Sequence, residues 1–131
     1  MTVIEVRSER REELIDITRR VAEAVSASGV DEGIAYVWCP HTTAAITVNE
    51  AADPSVARDI VAGLARMVPR EAGWQHAEGN ADAHLKAALL GASASVPVSG
   101  GRLALGTWQG VFFCEFDGPR NRRLEVRVVP L

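Results

Sequence analysis

The spacing of apolar residues changes from helical to strand-like along the chain, and this change restricts the fold more than any other sequence feature. Near the N-terminus, Leu14, Ile17, Val21 and Val25 recur at helical spacing, which predicts a helix over residues 11–28. The last third instead consists of short apolar runs separated by turns. Helices followed by a succession of strands are typical of an α+β domain rather than of regular α/β alternation.

Two further helices and several strands complete the predicted elements. Asp53 and Pro54 favour a helix start, so a helix should run to about Met67, and a third helix should be capped by Asn80 or Asp82. Paired glycines at positions 100 and 101 predict a hairpin turn. The predicted strands cover residues 2–7, 33–39, 45–48, 95–98, 102–105, 111–116 and 124–129.

Length and composition indicate one globular domain over residues 1–131, with 47% apolar and 24% charged residues. A net charge of −3 provides no field for a polyanion, so nucleic-acid binding is not expected. No apolar run approaches the roughly 20 residues of a membrane span. The N-terminus lacks the apolar block of a signal peptide, which predicts a cytoplasmic protein.

Both cysteines lie in apolar runs without CxxC spacing. Cys39 and Cys114 are therefore expected to be core thiols, and a disulfide between them stays open as an alternative.

All three histidines lie in polar motifs. The first is followed by two threonines, whose hydroxyls either bind a phosphate or belong to an ordinary strand connection, and the other two enclose carboxylates and an amide. The residues concerned are His41, Thr42, Thr43, His76, Glu78, Asn80, Asp82 and His84. Their spacing matches no linear metal motif such as HExxH, so a metal site requires all three imidazoles to meet in space. At a helix start, His84 would also lie where the helix favours an anion.

Two polar side chains elsewhere are further candidates. Glu50 precedes a helix but has no expected capping role, which favours a catalytic or metal-directed carboxylate, whereas Asp53 either caps the helix or joins the site. Gln109 follows Trp108 between two glycines that permit close approach of a backbone or a ligand. We expect Trp108 to be half-buried and Gln109 to reach a pocket.

Arginines cluster near the C-terminus. Arg120 follows a tight turn, from which it could clamp a phosphate with two hydrogen bonds. Arg122, Arg123 and Arg127 are instead expected to form charge pairs on a strand edge.

Four of these motifs together resemble the YjbQ family, also called uncharacterised protein family 0047. They are His-Thr-Thr-Ala at 41–44, Asn-Glu-x-Ala-Asp-Pro at 49–54, Glu-Gly-Asn-x-x-Ala-His at 78–84 and Gly-Thr-Trp-Gln-Gly at 106–110. Several spaced motifs in one order make the resemblance specific, and it covers roughly residues 35–120.

The resemblance implies an α+β fold containing a mixed β-sandwich and three main helices, a homotrimer, and weak thiamine-phosphate synthase activity. It also implies a shared pocket near a subunit boundary. The residues carried into that pocket are His41, His76, His84, Glu50, Asn80, Gln109 and Arg120. An apolar run near the C-terminus, richer than one small core should need, further suggests that the trimer forms through the edges of the sheet built by the closing strands. This run comprises Val111, Phe112, Phe113 and Phe116.

The expected function is transfer of a pyrimidine, with loss of pyrophosphate, to a thiazole phosphate. The residues expected to be catalytic are His41, Glu50, Asn80 and Gln109. The substrate is expected to bind Thr42, Thr43 and Arg120, and a metal is expected to bind His41, His76 and His84. Histidine ligands predict zinc, and the oxygen ligands Glu50, Glu78 and Asp82 make magnesium the alternative. Two other functions stay open: a metal-dependent hydrolase of a small phosphorylated metabolite, and a non-catalytic trimeric module that binds such a metabolite.

Overall fold

Two antiparallel sheets pack against each other in the computed structural model, which describes residues 1–131. The strands are β1 (Thr2–Arg7), β2 (Glu13–Asp16), β3 (Gly33–Trp38), β4 (Ala44–Glu50), β5 (Ser93–Ser99), β6 (Arg102–Leu103), β7 (Gln109–Glu115) and β8 (Asn121–Pro130). The helices are α1 (Thr18–Ser28), α2 (Pro54–Met67) and α3 (Ala81–Leu90). The larger sheet has the order β1-β8-β3-β5-β6 and the smaller one the order β2-β7-β4. The predicted α+β fold with three helices is therefore confirmed.

The main hydrophobic core lies between the sheets. Val37 and Leu124 of the larger sheet and Phe113 of the smaller one are fully buried there, together with Val21 of α1. Side chains alternate along a strand, so Phe112, next to Phe113 on β7, points to the opposite face of the smaller sheet. There it belongs to a second cluster, to which α3 contributes. The smaller sheet is thus covered on both faces, which explains why β7 is almost continuously apolar.

The predicted helix over residues 11–28 is wrong in its first part. Residues 13–16 form β2, which pairs with β7 so that Leu14 lies opposite Cys114 and Ile15 opposite Phe113. The helix begins only at Thr18, because the Asp16 carboxylate accepts hydrogen bonds from the Thr18 amide at 2.9 Å and from its hydroxyl at 2.6 Å. Pairing with a buried strand therefore overrides the helical spacing over these residues.

The closing strands do not form one sheet. The hairpin at Gly100 and Gly101 is confirmed, with φ angles of 59° and 74°, but β7 belongs to the smaller sheet, whereas β8 lies inside the larger one. The apolar run near the C-terminus is core rather than an interface, so this reason for assembly through sheet edges was wrong. Its four residues, Val111, Phe112, Phe113 and Phe116, are all buried.

The predicted helix caps have different outcomes. The Asp53 carboxylate accepts a hydrogen bond from the Ser55 amide at 2.9 Å, so the cap of α2 is confirmed. Asn80 occupies the N-cap position of α3 but makes no capping bond, and neither does Asp82, because both side chains bind elsewhere.

The core assignment of Cys39 and Cys114 is confirmed, since both are buried free thiols. None of the helices has the length and apolar character needed to cross a bilayer.

Gly110 permits the closest approach between α1, β7 and the segment after β4, and this generates a stability prediction. A methyl group at Gly110 would lie 2.5 Å from Ala51 Cβ and 2.8 Å from Thr18 Oγ1, whereas one at Gly63, inside α2, would meet nothing within 4 Å. We expect Gly110→Ala to lower the free energy of unfolding by about 1–3 kcal/mol through overpacking. The control Gly63→Ala should raise it by about 0.5–1 kcal/mol. Urea denaturation measures both, and an unchanged Gly110→Ala midpoint would contradict the packing.

Candidate functional site

A polar cavity of about 380 Å³ lies where three segments of the chain meet. These segments are the connection between β3 and β4, the start of α3 with the residues before it, and the turn from β7 into β8. We call this space the loop cavity. Apart from a proline, its lining side chains are polar or charged; the lining consists of Pro40, His41, Thr42, Thr43, Glu78, Asn80, His84, Asp117, Arg120 and Arg122. Most of the residues predicted from the histidine motifs are thus brought together, along with Arg120.

A buried ion pair forms the inner wall of the loop cavity. Arg122 Nε donates to Glu115 Oε1 at 2.9 Å, and Nη2 donates to Thr43 Oγ1 at 2.8 Å. Ser8 Oγ donates to the same Glu115 oxygen at 2.7 Å. Burial alone would raise the pKa of Glu115, but the hydrogen bonds from Arg122 and Ser8 outweigh it and hold the pKa below its usual value. Glu115 is therefore ionised and keeps the guanidinium group in one position.

His41 contacts the backbone of β8. Its Nε2 atom lies 3.0 Å from the Arg123 amide nitrogen and 3.1 Å from the Arg123 carbonyl oxygen. A ring protonated on Nε2 donates to the carbonyl and leaves Nδ1 as an acceptor, whereas the other tautomer accepts from the amide and presents Nδ1–H as a donor. Burial and the nearby positive charge of Arg122 lower the pKa of His41, so the ring is neutral near pH 7.

Asp117 connects Asn80 to Arg120. Its Oδ2 atom accepts hydrogen bonds from Asn80 Nδ2 at 2.8 Å and from Arg120 Nη2 at 3.1 Å. Arg120 Nε also donates to the Asp117 carbonyl at 2.9 Å, which fixes the guanidinium group at the cavity. The Asn80 Oδ1 atom is buried and has no hydrogen-bond partner. A bound molecule with a donor group would satisfy it.

His76 and His84 pack together at the edge of the loop cavity. Their ring centroids are 5.4 Å apart with the planes perpendicular, and His76 Nε2 lies 3.7 Å from Glu78 Oε2. His41 lines the same cavity as His84. Nevertheless, no three His, Cys, Asp or Glu side chains of one chain lie close enough to one another to hold a metal ion.

A second buried charge network holds the start of α3. The Asp82 carboxylate accepts two hydrogen bonds from Arg11, at 3.1 and 3.0 Å, and one from Lys86 at 2.9 Å; Lys86 also pairs with Glu12. Burial opposes the charge on Asp82, but these cations lower its pKa to about 2. Since Asn80 and His84 flank Asp82, this network positions both of them at the loop cavity.

Glu50 and Gln109 are not brought to the loop cavity of their own chain. They lie opposite each other at the far end of the smaller sheet, and Glu50 is separated from Ala44, at the cavity end of β4, by about 20 Å of extended strand. Each side chain bonds locally: Glu50 Oε2 accepts from the Ala52 amide and Gln109 Oε1 from the Gly106 amide, both at 2.8 Å. Trp108, expected to be half-buried, is 64% exposed beside them.

Arg122 and Asp117 are site residues that the sequence reasoning missed. Arg122 was expected in a charge pair on a strand edge, but β8 is an interior strand and Arg122 points inward, in phase with Leu124 and Val126. The alternation of residues along the strand, which places every second side chain on the same face, could have predicted this inward orientation. Asp117 was explained by the turn alone. The charge pair expected for Arg127 is present, with Glu125 at 2.9 Å, but it lies on an interior strand rather than at an edge, and Arg123 forms no ion pair.

Comparison with known proteins agrees with this fold. The family model described as "UPF0047 protein YjbQ-like" matches residues 2–130. The chain belongs to the YjbQ-like UPF0047 family. It is 48% identical over 125 residues to a UPF0047 protein of Methanocaldococcus jannaschii, covering 95% of this chain and 91% of that protein. It is 45% identical over 130 residues to YugU of Bacillus subtilis, covering 98% of each.

Solved structures of UPF0047 relatives have the same architecture. A YjbQ/UPF0047 family protein of Clostridium acetobutylicum matches with a TM-score of 0.97 at 46% identity, covering 98% of this chain and 100% of that one. A protein of Sulfolobus solfataricus, described as YbjQ-like and of unknown function, matches with a TM-score of 0.96 at 38% identity, covering 99% and 96%. The fold is thus shared across the family, including archaeal members.

The environment of His41 in this family member predicts its titration. We expect a midpoint below the usual 6.5, because burial and Arg122 both oppose the imidazolium form. The unfolded chain then binds more protons than the folded one, so the free energy of unfolding should decrease as pH falls from about 6.5 through the lower folded pKa. NMR titration of the ring signals measures this, with His41→Asn as the assignment control and the urea-unfolded chain as the reference. A folded midpoint at or above 6.5 would contradict the burial of the ring.

Proposed function

We propose that the loop cavity binds the phosphate groups of a small phosphorylated metabolite, and that the protein uses it for weak transfer chemistry of the thiamine-phosphate synthase type. The observation that carries the proposal is the pair of arginines in one polar cavity, with Arg122 held by Glu115 and Arg120 held by Asp117. Guanidinium groups bind phosphate through paired, charge-assisted hydrogen bonds. Because both are already oriented, little conformational entropy is lost on binding.

Neighbouring groups support an anionic ligand. Thr42 presents an exposed hydroxyl beside His41 in the lining of the cavity. The first turn of α3, a helix of 10 residues, also begins there, and the unpaired backbone amides of a helix start favour negative charge. These donors surround the space into which Arg120 and Arg122 project, so a phosphate bound there would be contacted from several sides.

The reaction requires charge stabilisation and alignment rather than covalent catalysis. The thiazole ring nitrogen attacks the methylene carbon of the pyrimidine, a C–N bond forms, and the C–O bond to pyrophosphate breaks with its electron pair leaving on pyrophosphate. No proton is transferred to or from carbon. Arg120 and Arg122 would stabilise the charge that develops on the leaving group. The unpartnered Asn80 Oδ1 would accept a hydrogen bond from a pyrimidine amino group and thereby orient that ring.

The residues of a single chain do not fit the predicted metal. A catalytic zinc ion takes three protein ligands, but His41, His76 and His84 do not form such a group, and His41 Nε2 is occupied by the Arg123 backbone. Two arginines in the lining also disfavour a dication. No step of the proposed reaction therefore runs through a metal, and a zinc or magnesium site would need a ligand from a second copy of the chain. The metal-dependent hydrolase lacks a ligand cluster for the same reason.

We further propose that the protein is a homotrimer in which a neighbouring copy supplies Glu50 and Gln109 to the loop cavity. Both belong to motifs of the family resemblance, yet within one chain they lie far from the cavity beside the exposed indole of Trp108. Helix α2 supports an interface, since none of its residues is buried although it is amphipathic, and Met67 is 72% exposed. A head-to-tail ring would bring the far end of one smaller sheet towards the loop cavity of the next copy.

The synthase proposal predicts turnover of the pyrimidine pyrophosphate and thiazole phosphate pair and its loss on removal of one arginine. Arg120→Gln should reduce kcat/KM by about tenfold to a hundredfold, because a charge-assisted contact to the leaving group is lost. The matched control is Arg127→Gln, whose side chain pairs with Glu125 on the surface and should leave kcat/KM unchanged. Product is measured chromatographically. Phosphate binding without turnover would support the non-catalytic binding module, and absence of both would refute the proposed function.

The shared-cavity proposal predicts complementation between two inactive variants. Light scattering should give three times the 14.1 kDa chain mass. Glu50→Gln and Arg120→Gln should each fold but have kcat/KM reduced by about tenfold or more, because each impairs one side of every cavity. Unfolding and refolding them as a mixture should restore about a quarter of wild-type activity, since a quarter of the interfaces in a randomly mixed ring join two intact sides. A monomer mass, or no recovery on mixing, would show that Glu50 does not act on a neighbour's cavity.

A further inference from the structure

A second cavity, of about 470 Å³, lies on the other side of His41, along β1 and β8. We call it the strand cavity. Its lining includes Arg7 and Arg123, and it shares His41 and Arg122 with the loop cavity. The imidazole ring and one buried guanidinium group are therefore common to two neighbouring polar spaces, each of which has at least one additional arginine.

The additional arginines of the strand cavity have no carboxylate partner. Arg123 lies opposite Glu5 in the β1–β8 ladder, but the two side chains form no ion pair, and the only hydrogen bond of the Arg7 guanidinium is one of 3.5 Å to Asn121 Oδ1. Further along β8, Arg127 does pair with its neighbour Glu125 at 2.9 Å. Arg127 thus has a carboxylate partner, whereas Arg7 and Arg123 form no ion pair, although Glu5 lines the same cavity, and both remain available to an anion.

Arg122 supplies a donor that has no acceptor within the protein. It is only 5% exposed, and its Nε and Nη2 atoms bind Glu115 and Thr43. Nη1, by contrast, makes no hydrogen bond within the protein. The buried polar atoms that lack a partner are Arg11 Nε and Asn80 Oδ1, so Nη1 is instead open at the wall between the cavities, where an acceptor on a bound molecule can reach it.

We propose that the strand cavity is a second phosphate-binding site, contacted by Arg7 and Arg123, with Arg122 at the wall that it shares with the loop cavity. This inference rests on the proposed function and extends it: the protein would hold two phosphorylated groups at once, one on each side of His41. Two such groups are what a reaction between two phosphorylated substrates requires. His41 then lies between the two bound groups, where it can contact either of them.

Inorganic phosphate provides the test, because its binding can be followed residue by residue from amide NMR shifts. In the wild-type protein we expect two saturable sets of shifts: one at Arg7, Asn121 and Arg123 for the strand cavity, and one at Asn80 and Asp117 for the loop cavity. The double variant Arg7→Gln/Arg123→Gln should abolish the first set and change the dissociation constant of the second less than twofold. Both side chains are exposed, so the variant should keep the dispersed spectrum of the folded protein.

Arg127→Gln is the control, since it removes one exposed guanidinium from the same strand and should leave both sets unchanged. The second site is refuted if the strand-cavity shifts are absent, persist in the double variant, or are lost equally in Arg127→Gln. In each of those cases, saturable shifts at Asn80 and Asp117 would still support phosphate binding in the loop cavity and thus the proposed function. If only the strand cavity responds, the second site is supported and the proposed function fails.

Discussion

The ion pair between Arg122 and Glu115 joins the two sheets at the end of the sandwich where the loop cavity opens. Arg122 belongs to β8 of the larger sheet and Glu115 to β7 of the smaller one, and both are buried. Removal of either partner would leave an uncompensated buried charge, which typically costs about 3–5 kcal/mol. Ser8 also donates to Glu115, and Thr43 accepts from Arg122, so the ion pair also holds the segments that contain Ser8 and Thr43. The same interaction that closes the sandwich therefore orients a cation at the cavity.

A comparable arrangement positions the other wall of the cavity. Asp82 is fully buried in the first turn of α3 and binds both Arg11 and Lys86. Because Asn80 and His84 lie two residues to either side, their placement depends on a charge network that faces away from the cavity. The segments that supply the site are loops and helix starts, which are usually mobile parts of a fold. Here buried charges hold these segments in place together with apolar contacts such as those of Ala83.

Local patterns predicted much of the structure, and long-range pairing explains where they failed. The start of α2 at Pro54 and the Gly-Gly hairpin depend on residues adjacent in sequence, and both are confirmed. Strand β2 was missed because Leu14 and Ile15 fit a helix equally well until β7 lies beside them. Arg122 was missed because its partner, Glu115, belongs to the other sheet. Motif resemblance, by contrast, grouped these residues in a shared pocket near a subunit boundary without specifying which of them each chain contributes.

Three histidines in polar motifs suggest either a metal site or a phosphate site, and the charges around them distinguish the two. In a metal site the ligands are neutral or negative, and arginines are kept away from the dication. In the loop cavity, Arg120 and Arg122 bring two positive charges, which Asp117 and Glu78 balance in number, so a phosphate would be bound by the guanidinium donors rather than by a net positive charge. A carboxylate from a second copy, such as Glu50, would add a further negative charge to this balance. Assembly would therefore change not only the shape of the cavity but also the balance between phosphate and metal that it can bind.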